Sequence, residues 1–260
     1  IFFTFWSDIS NKKVKFETFN IMMNFIKNNL ANALTLGNLF CGSIAVIHII
    51  NNDYQIAAIC LVLSLVLDFF DGFVARALKS NSNLGAQLDS LADMVSFGVA
   101  PGLIMFNLLE PFGSSFLGLN LPFEIKYLGL LITVFSCLRL AIFNLDEEQT
   151  YYFKGLNTPS NTVLIFGISY ILLEKLSPKI FEMEIYQIGL ILLTFLSSWL
   201  LISPIKMIAM KFKSKKLEDN YPKVFLVIGA LLILAFFQLT GIPLVIIYYI
   251  IISLIFQKQL

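Results

Sequence analysis

Charge is what this sequence has least of. Asp, Glu, Lys and Arg make up 13% of its 260 residues, where roughly 25% is usual for a soluble domain. So little polar surface cannot wrap a water-soluble globule of this size, and a soluble fold with one very apolar core is excluded. The net charge of +1 gives no basic excess of the kind that draws a protein to nucleic acid, so no nucleic-acid partner is expected. Histidine occurs once, as His48 within an apolar run, and reads as a packing or interfacial residue rather than a catalytic one. Cysteine occurs three times, as Cys41, Cys60 and Cys137. An odd set inside apolar runs is neither a disulfide framework nor a zinc site; the three read as small buried hydrophobes. Residues 1–21 do not resemble a cleaved signal peptide, because no small-residue cleavage site follows a basic and apolar stretch. Residues 1–21 are aromatic and irregular, position 1 is not Met, and Met22 or Met23 would make a natural start. Residues 1–22 therefore read as an extension preceding the fold.

What fills the sequence is apolar: 58% of residues are hydrophobic and the mean hydropathy is +0.82. A bilayer core of about 30 Å takes roughly 20 apolar residues per helix. Eight stretches qualify, approximately 33–50, 54–78, 90–109, 127–145, 160–174, 186–203, 224–240 and 242–257. The last two are divided only by Thr240-Gly241-Ile242-Pro243, either a tight turn between two helices or a kink in one, which would leave seven spans. The expected fold is an all-α polytopic membrane helix bundle. With both ends on the cytoplasmic side, fourteen of the eighteen basic residues fall inside, and only Lys126, Lys175 and Lys179 outside, with Arg139 within a span. That asymmetry follows the positive-inside rule. The basic cluster Lys206–Lys216 would then sit on the anionic cytoplasmic leaflet.

Four aspartates stand against this background. Asp68 and Asp71 lie at the cytoplasmic end of the second span, and Asp89 and Asp93 where the third begins. Spacings of three and four put each pair on one helix face. Ionised carboxylates in apolar segments are costly and are kept mainly for function. Four of them converging would repel one another unless cations neutralise them, and hard divalent cations with oxygen ligands suit that role. Gly72 and Ala75 lack bulk, so a ligand or a helix can approach closely. Arg76 offers a planar fork for a phosphate.

Written out, the segment is Asp68-x2-Asp71-Gly72-x2-Ala75-Arg76-x8-Gly85-x3-Asp89-x3-Asp93. It resembles the signature of the CDP-alcohol phosphotransferase family at every fixed position. The resemblance implies a six-helix catalytic core, here residues 23–203, with two additional spans in residues 204–260. It implies that Asp68, Asp71, Asp89 and Asp93 hold two divalent metal ions, Mg2+ or Mn2+. Gly72, Arg76 and Gly85 would contact the CDP part of the donor, and Asp93 would also take the proton from the acceptor alcohol.

Further stretches are similar to those of the serine-using members of that family. Asn32-x2-Thr35-x2-Asn38-x3-Gly42 is similar to a stretch near the nucleotide and implies that Thr35 and Asn38 meet the cytidine; a polar contact between helices is the other reading. Arg139-Leu-Ala-Ile142-Phe-Asn144 looks like R-L-A-R-F-N, with Ile142 in place of the second arginine. Arg139 could grip a carboxylate with its bidentate fork. Phe153-Lys-Gly155-Leu-Asn157-Thr-Pro159 looks like F-x-G-L-P-x-P, with Asn157 in place of a proline, a change expected to soften the loop. The implied acceptor site is Arg139, Asn144, Gly155 and Pro159. The implied activity is phosphatidyl transfer from CDP-diacylglycerol to the hydroxyl of L-serine, releasing CMP. It would take place in the inner membrane of a bacterium, facing the cytoplasm, in a homodimer among membrane lipids. Glycerol 3-phosphate or an inositol phosphate as acceptor is the nearest alternative. A secondary transporter using the aspartates as an ion relay is the other, though no inverted repeat or pair of broken helices is visible.

Overall fold

The computed structural model describes residues 29–78, 83–146, 152–175, 184–209, 220–257 and 259. The extension 1–22, the starts at Met22 and Met23, and Lys211–Lys216 of the basic cluster lie outside the described residues. Helix α1 runs over Asn29–Ile50 and α2 over Tyr54–Leu78. The third span begins as α3, Asn83–Asp93. It widens into a π-helical turn at Met94–Val99 and continues as α4, Ala100–Leu109. A small β1–β2 hairpin (Ser115–Phe116 with Leu119–Asn120) and a 3-10 turn lead into α5, Leu131–Leu145. Then come α6 (Thr158–Tyr170), α7 (Glu184–Ile202), α8 (Tyr221–Phe237) and α9 (Gly241–Ile255). Each of the eight expected stretches is helical, and among the described residues six helical stretches are long and apolar enough to cross a membrane, with Tyr221–Ile255 counted through its turn as one and Thr158–Leu173 shorter.

The division near Gly241 is a turn. The chain breaks at Gln238, whose φ is +51°. Helices α8 and α9 then pack antiparallel, with the Tyr248 hydroxyl donating to the Phe225 carbonyl at 2.9 Å and the rings of Tyr221 and Phe256 meeting edge to face. Outward-facing Phe236, Leu231 and Ile255 suit a helix pair bathed in lipid tails.

The bundle is apolar toward one membrane face and polar toward the other. One half is a core of Ile49, Ile104, Met105, Leu109, Ile132, Ile165 and Leu190. The opposite half buries Thr35, Asn38, Ser64, Asp71, Asp93, Ser96 and Arg139. Two departures from regular helix shape this polar half. The π turn follows Asp93 directly and loosens the helical ladder. Hydroxyls from neighbouring helices satisfy its carbonyls, Thr162 bonding the Phe97 oxygen and Thr133 the Gly98 oxygen. The second departure is a ribbon that periodicity did not foretell: β3 (Tyr152–Lys154) pairs antiparallel with β4 (Lys206–Ile208). It joins two loops that the charge distribution had assigned to one membrane side. Lys206 of the basic cluster is thus a strand residue.

The cysteines are free, as expected, but Cys137 faces outward while Cys60 is buried. His48 pairs with Asp53 at 3.0 Å beside the turn that follows α1, an interfacial position.

Candidate active site

The i, i+3 spacing on α2 and the i, i+4 spacing on α3 bring the carboxylates together at the polar end of the bundle. Oxygens of Asp68, Asp71 and Asp89 all lie within 4.8 Å of one another. Asp93 stands beside this trio, with its carboxyl within hydrogen-bonding reach of Asp68. Among the described residues, no lysine or arginine forms a salt bridge with any of the four. The donor set is all hard oxygen, which fits a divalent cation of the magnesium or calcium class and not a soft metal.

Helix α1 holds the carboxylates from behind. The Thr35 hydroxyl donates to Asp71 Oδ2 at 2.6 Å, and the Asn38 amide donates to Asp93 Oδ1 at 3.2 Å. Asn38 is itself fixed, because Ser96 donates to its Oδ1 at 2.7 Å and Ser64 to its backbone oxygen at 3.1 Å. Gly42 allows that approach, since a Cβ there would lie 2.0 Å from Ser96 Oγ. The expectation placed both Thr35 and Asn38 against the nucleotide. Thr35 does line the cavity described next, but Asn38 is fully buried and does not. Its side chain is spent on Asp93 and Ser96, so it acts as a support between helices.

In front of the carboxylates opens a cavity of about 420 Å3. Asp71 and Asp89 form its floor, and Gly72, Arg76 and Gly85 its walls, with Asn32 and Asn83 at the edge. The Arg76 guanidinium folds over Gly72; a Cβ at that glycine would sit 3.1 Å from Nη1. A charged fork beside the bare backbone of a glycine is suited to a phosphate. Asn32 and Asn83 were not expected as site residues. Asn32 begins the same N-x2-T-x2-N stretch as Thr35, which is the signal that could have found it.

Arg139 lies deeper. It is buried on α5, its Nε donates to the Leu156 carbonyl at 3.0 Å, and its charge is close enough to interact with Asp93. The guanidinium also lies 5.3 Å from the Phe143 ring. The structure thus brings Arg139 together with the loop before α6. Gly155 in that loop has φ +76°, and a Cβ would lie 2.5 Å from the Leu201 carbonyl. Only glycine combines that backbone conformation with that contact. Pro159 occupies the first turn of α6, where its missing N–H costs nothing. Asn157 does not soften the loop as expected: its side chain caps α6, accepting from the Ser160 N–H at 2.7 Å. Asn144 is exposed at the end of α5 and donates to Ser90, next to Asp89. Asn161, fully buried on α6, has no hydrogen-bond partner for either side-chain polar atom among the described residues.

Comparison with known proteins follows this geometry. The model of the CDP-alcohol phosphatidyltransferase family matches residues 28–202. A Bacillus subtilis protein named CDP-diacylglycerol–serine O-phosphatidyltransferase is 29% identical over 165 residues, covering 57% of this chain and 89% of that one. Proteins of the same name from Helicobacter pylori strain 26695 and from Saccharomyces cerevisiae are 30% and 31% identical over 170 and 168 residues. These cover 63% and 58% of this chain, and 68% and 56% of theirs.

Proposed function

The chain belongs to the CDP-alcohol phosphatidyltransferase family, and on that premise we propose that it is an integral membrane enzyme that transfers the phosphatidyl group of CDP-diacylglycerol to L-serine. The carrying observation is the Asp68–Asp71–Asp89 cluster, whose Asp71 and Asp89 line the Arg76 cavity, in a chain whose relatives are named for this donor and this acceptor.

Asp68, Asp71 and Asp89, with Asp93 alongside, would hold two divalent ions, Mg2+ or Mn2+. When bound, such ions neutralise the pyrophosphate and the charge that develops on the departing CMP. The residues supply the rest. Arg76 and the bare backbone at Gly72 and Gly85 receive the CDP portion. Asp93, oriented by Asn38, accepts the proton of the serine hydroxyl. The hydroxyl oxygen forms a bond to the phosphorus that carries the diacylglycerol, in line with the breaking bond to CMP. Arg139, steadied by Leu156, faces the serine carboxylate from the acceptor side, with the loop at Gly155 and Pro159 as its wall. Asp93 and Arg139 are buried, which limits the water that can compete with the hydroxyl at this side of the site.

On this reading residues 23–203 are the catalytic core and 204–260 an appended unit. The site faces the cytoplasm of a bacterium across its inner membrane, and the enzyme works as a homodimer, as the family resemblance implies. The direct test is purified protein with CDP-diacylglycerol, Mg2+ or Mn2+, and one acceptor at a time. Serine-dependent release of CMP is expected, abolished by chelation. Comparable turnover with glycerol 3-phosphate would overturn the acceptor assignment.

A further inference from the structure

A second cavity, of about 270 Å3, runs between α2 and α6 and is lined almost wholly by apolar atoms. Its α2 wall is Ala58, Leu61, Val62 and Leu65, spaced so that the stripe continues into Asp68 and Gly72 on the same helix face. At 1.5 Å per residue this wall starts about 5 Å from the Asp68 level and extends to about 15 Å from it. The α6 wall is registered to the same origin, because Thr162 on the cavity lining donates to Phe97, four residues past Asp93. The far end is formed by Leu239 and Ile242, at the turn of the α8–α9 hairpin. Gly167 seats that turn against α6: a Cβ there would fall 2.7 Å from Pro243 Cδ. The hairpin lies beyond residue 202, where the family match ends.

We infer that this groove takes one acyl chain of the lipid donor and that the hairpin turn, through Leu239 and Ile242, gauges the chain's length. The inference rests on the phosphatidyl-transfer reading. That reading requires acyl chains to leave the carboxylate level into apolar surroundings, and the groove begins about 5 Å from that level. Its reach of about 15 Å matches one leaflet of a hydrocarbon core of about 30 Å.

The test uses full-length protein in detergent micelles, serine, Mg2+, and CDP-diacylglycerols with matched saturated chains of increasing length. Ile242→Trp and Leu239→Trp are expected to lower kcat/KM for long-chain donors about fivefold or more, the scale of an overpacked apolar site, and to leave short-chain donors within twofold. Leu239→Ala with Ile242→Ala should move the optimum to longer chains. Phe236→Ala, on the outward hairpin surface, should change nothing. Identical chain-length profiles in all variants would overturn the gauge, as would Trp variants that lose short- and long-chain turnover equally while the double Ala variant keeps the wild-type optimum. Wild-type protein that releases no CMP from any donor would instead sink the phosphatidyl-transfer reading, and the gauge with it.

Discussion

Replacing Thr35 by Val removes one hydroxyl and almost nothing else. The two side chains are close in shape, so no cavity opens, and α1 keeps its packing. What is lost is the 2.6 Å hydrogen bond to Asp71 Oδ2, along with a longer 3.1 Å contact to the Ala31 carbonyl in its own helix. Asp71 is 5% exposed, so bulk water does not readily replace the missing donor. A hydrogen bond to an ionised group contributes about 1.5–3 kcal/mol, and loss of a partner that orients a metal ligand typically weakens metal affinity or activity by about 10–100-fold. Thr35→Val should therefore raise the Mg2+ or Mn2+ concentration for half-maximal CMP release by about that factor. Thr35→Ser, which keeps the hydroxyl, should restore most of it. The assay is a metal titration at saturating serine and CDP-diacylglycerol, with the melting temperature followed in parallel. A KM for CDP-diacylglycerol that rises while the metal titration stays at the wild-type midpoint would refute the reasoning and make Thr35 a nucleotide contact instead.

Asp→Asn at Asp68, Asp71, Asp89 or Asp93 should each strongly reduce turnover in protein that still inserts, and full activity after chelation would refute the metal role. Arg139→Lys keeps the charge but loses the planar fork; it should raise the KM for serine more than the KM for CDP-diacylglycerol, and equal effects would remove Arg139 from the acceptor pocket. Gly155→Ala forces a Cβ onto the Leu201 carbonyl at positive φ, a strain of about 1–3 kcal/mol, and should lower the melting temperature by several degrees; an unchanged value would contradict the loop geometry. Asn161→Leu removes a buried amide without partners among the described residues, so it should raise thermal stability with activity within twofold; loss of serine-dependent turnover would place Asn161 in the acceptor pocket.

The spans were legible because a helix in lipid must be apolar over a fixed length, and the chain has little else. The convergence of Asp68, Asp71 and Asp89 was legible for a related reason, since charge in such segments is rare enough to stand out. Asn38 was harder to read. An asparagine in a membrane helix can face a ligand or a neighbour, and only the positions of Ser64, Ser96 and Asp93 decide between them. The π turn at Met94–Val99 leaves no mark in hydropathy, because two of its carbonyls are satisfied by threonines on the next two spans. The β3–β4 ribbon is three residues per strand, too short for alternation to register. The capping role of Asn157 depends on where α6 begins, which the missing proline obscured.

The ribbon also orders events during synthesis. The strand Tyr152–Lys154 pairs with Lys206–Ile208, the Gly155 N–H bonds the Ile205 carbonyl, and the Leu156 N–H bonds the Leu200 carbonyl. A chain made from its amino end therefore lacks these backbone partners until some fifty further residues, including all of α7, have emerged and turned back. Arg139 relies on the Leu156 carbonyl of the same loop. The carboxylates of α2 and α3 can assemble early, whereas the surroundings of Arg139 are completed only after the sixth span is in place, so on the proposed reading a nascent chain caught midway could not yet hold its acceptor.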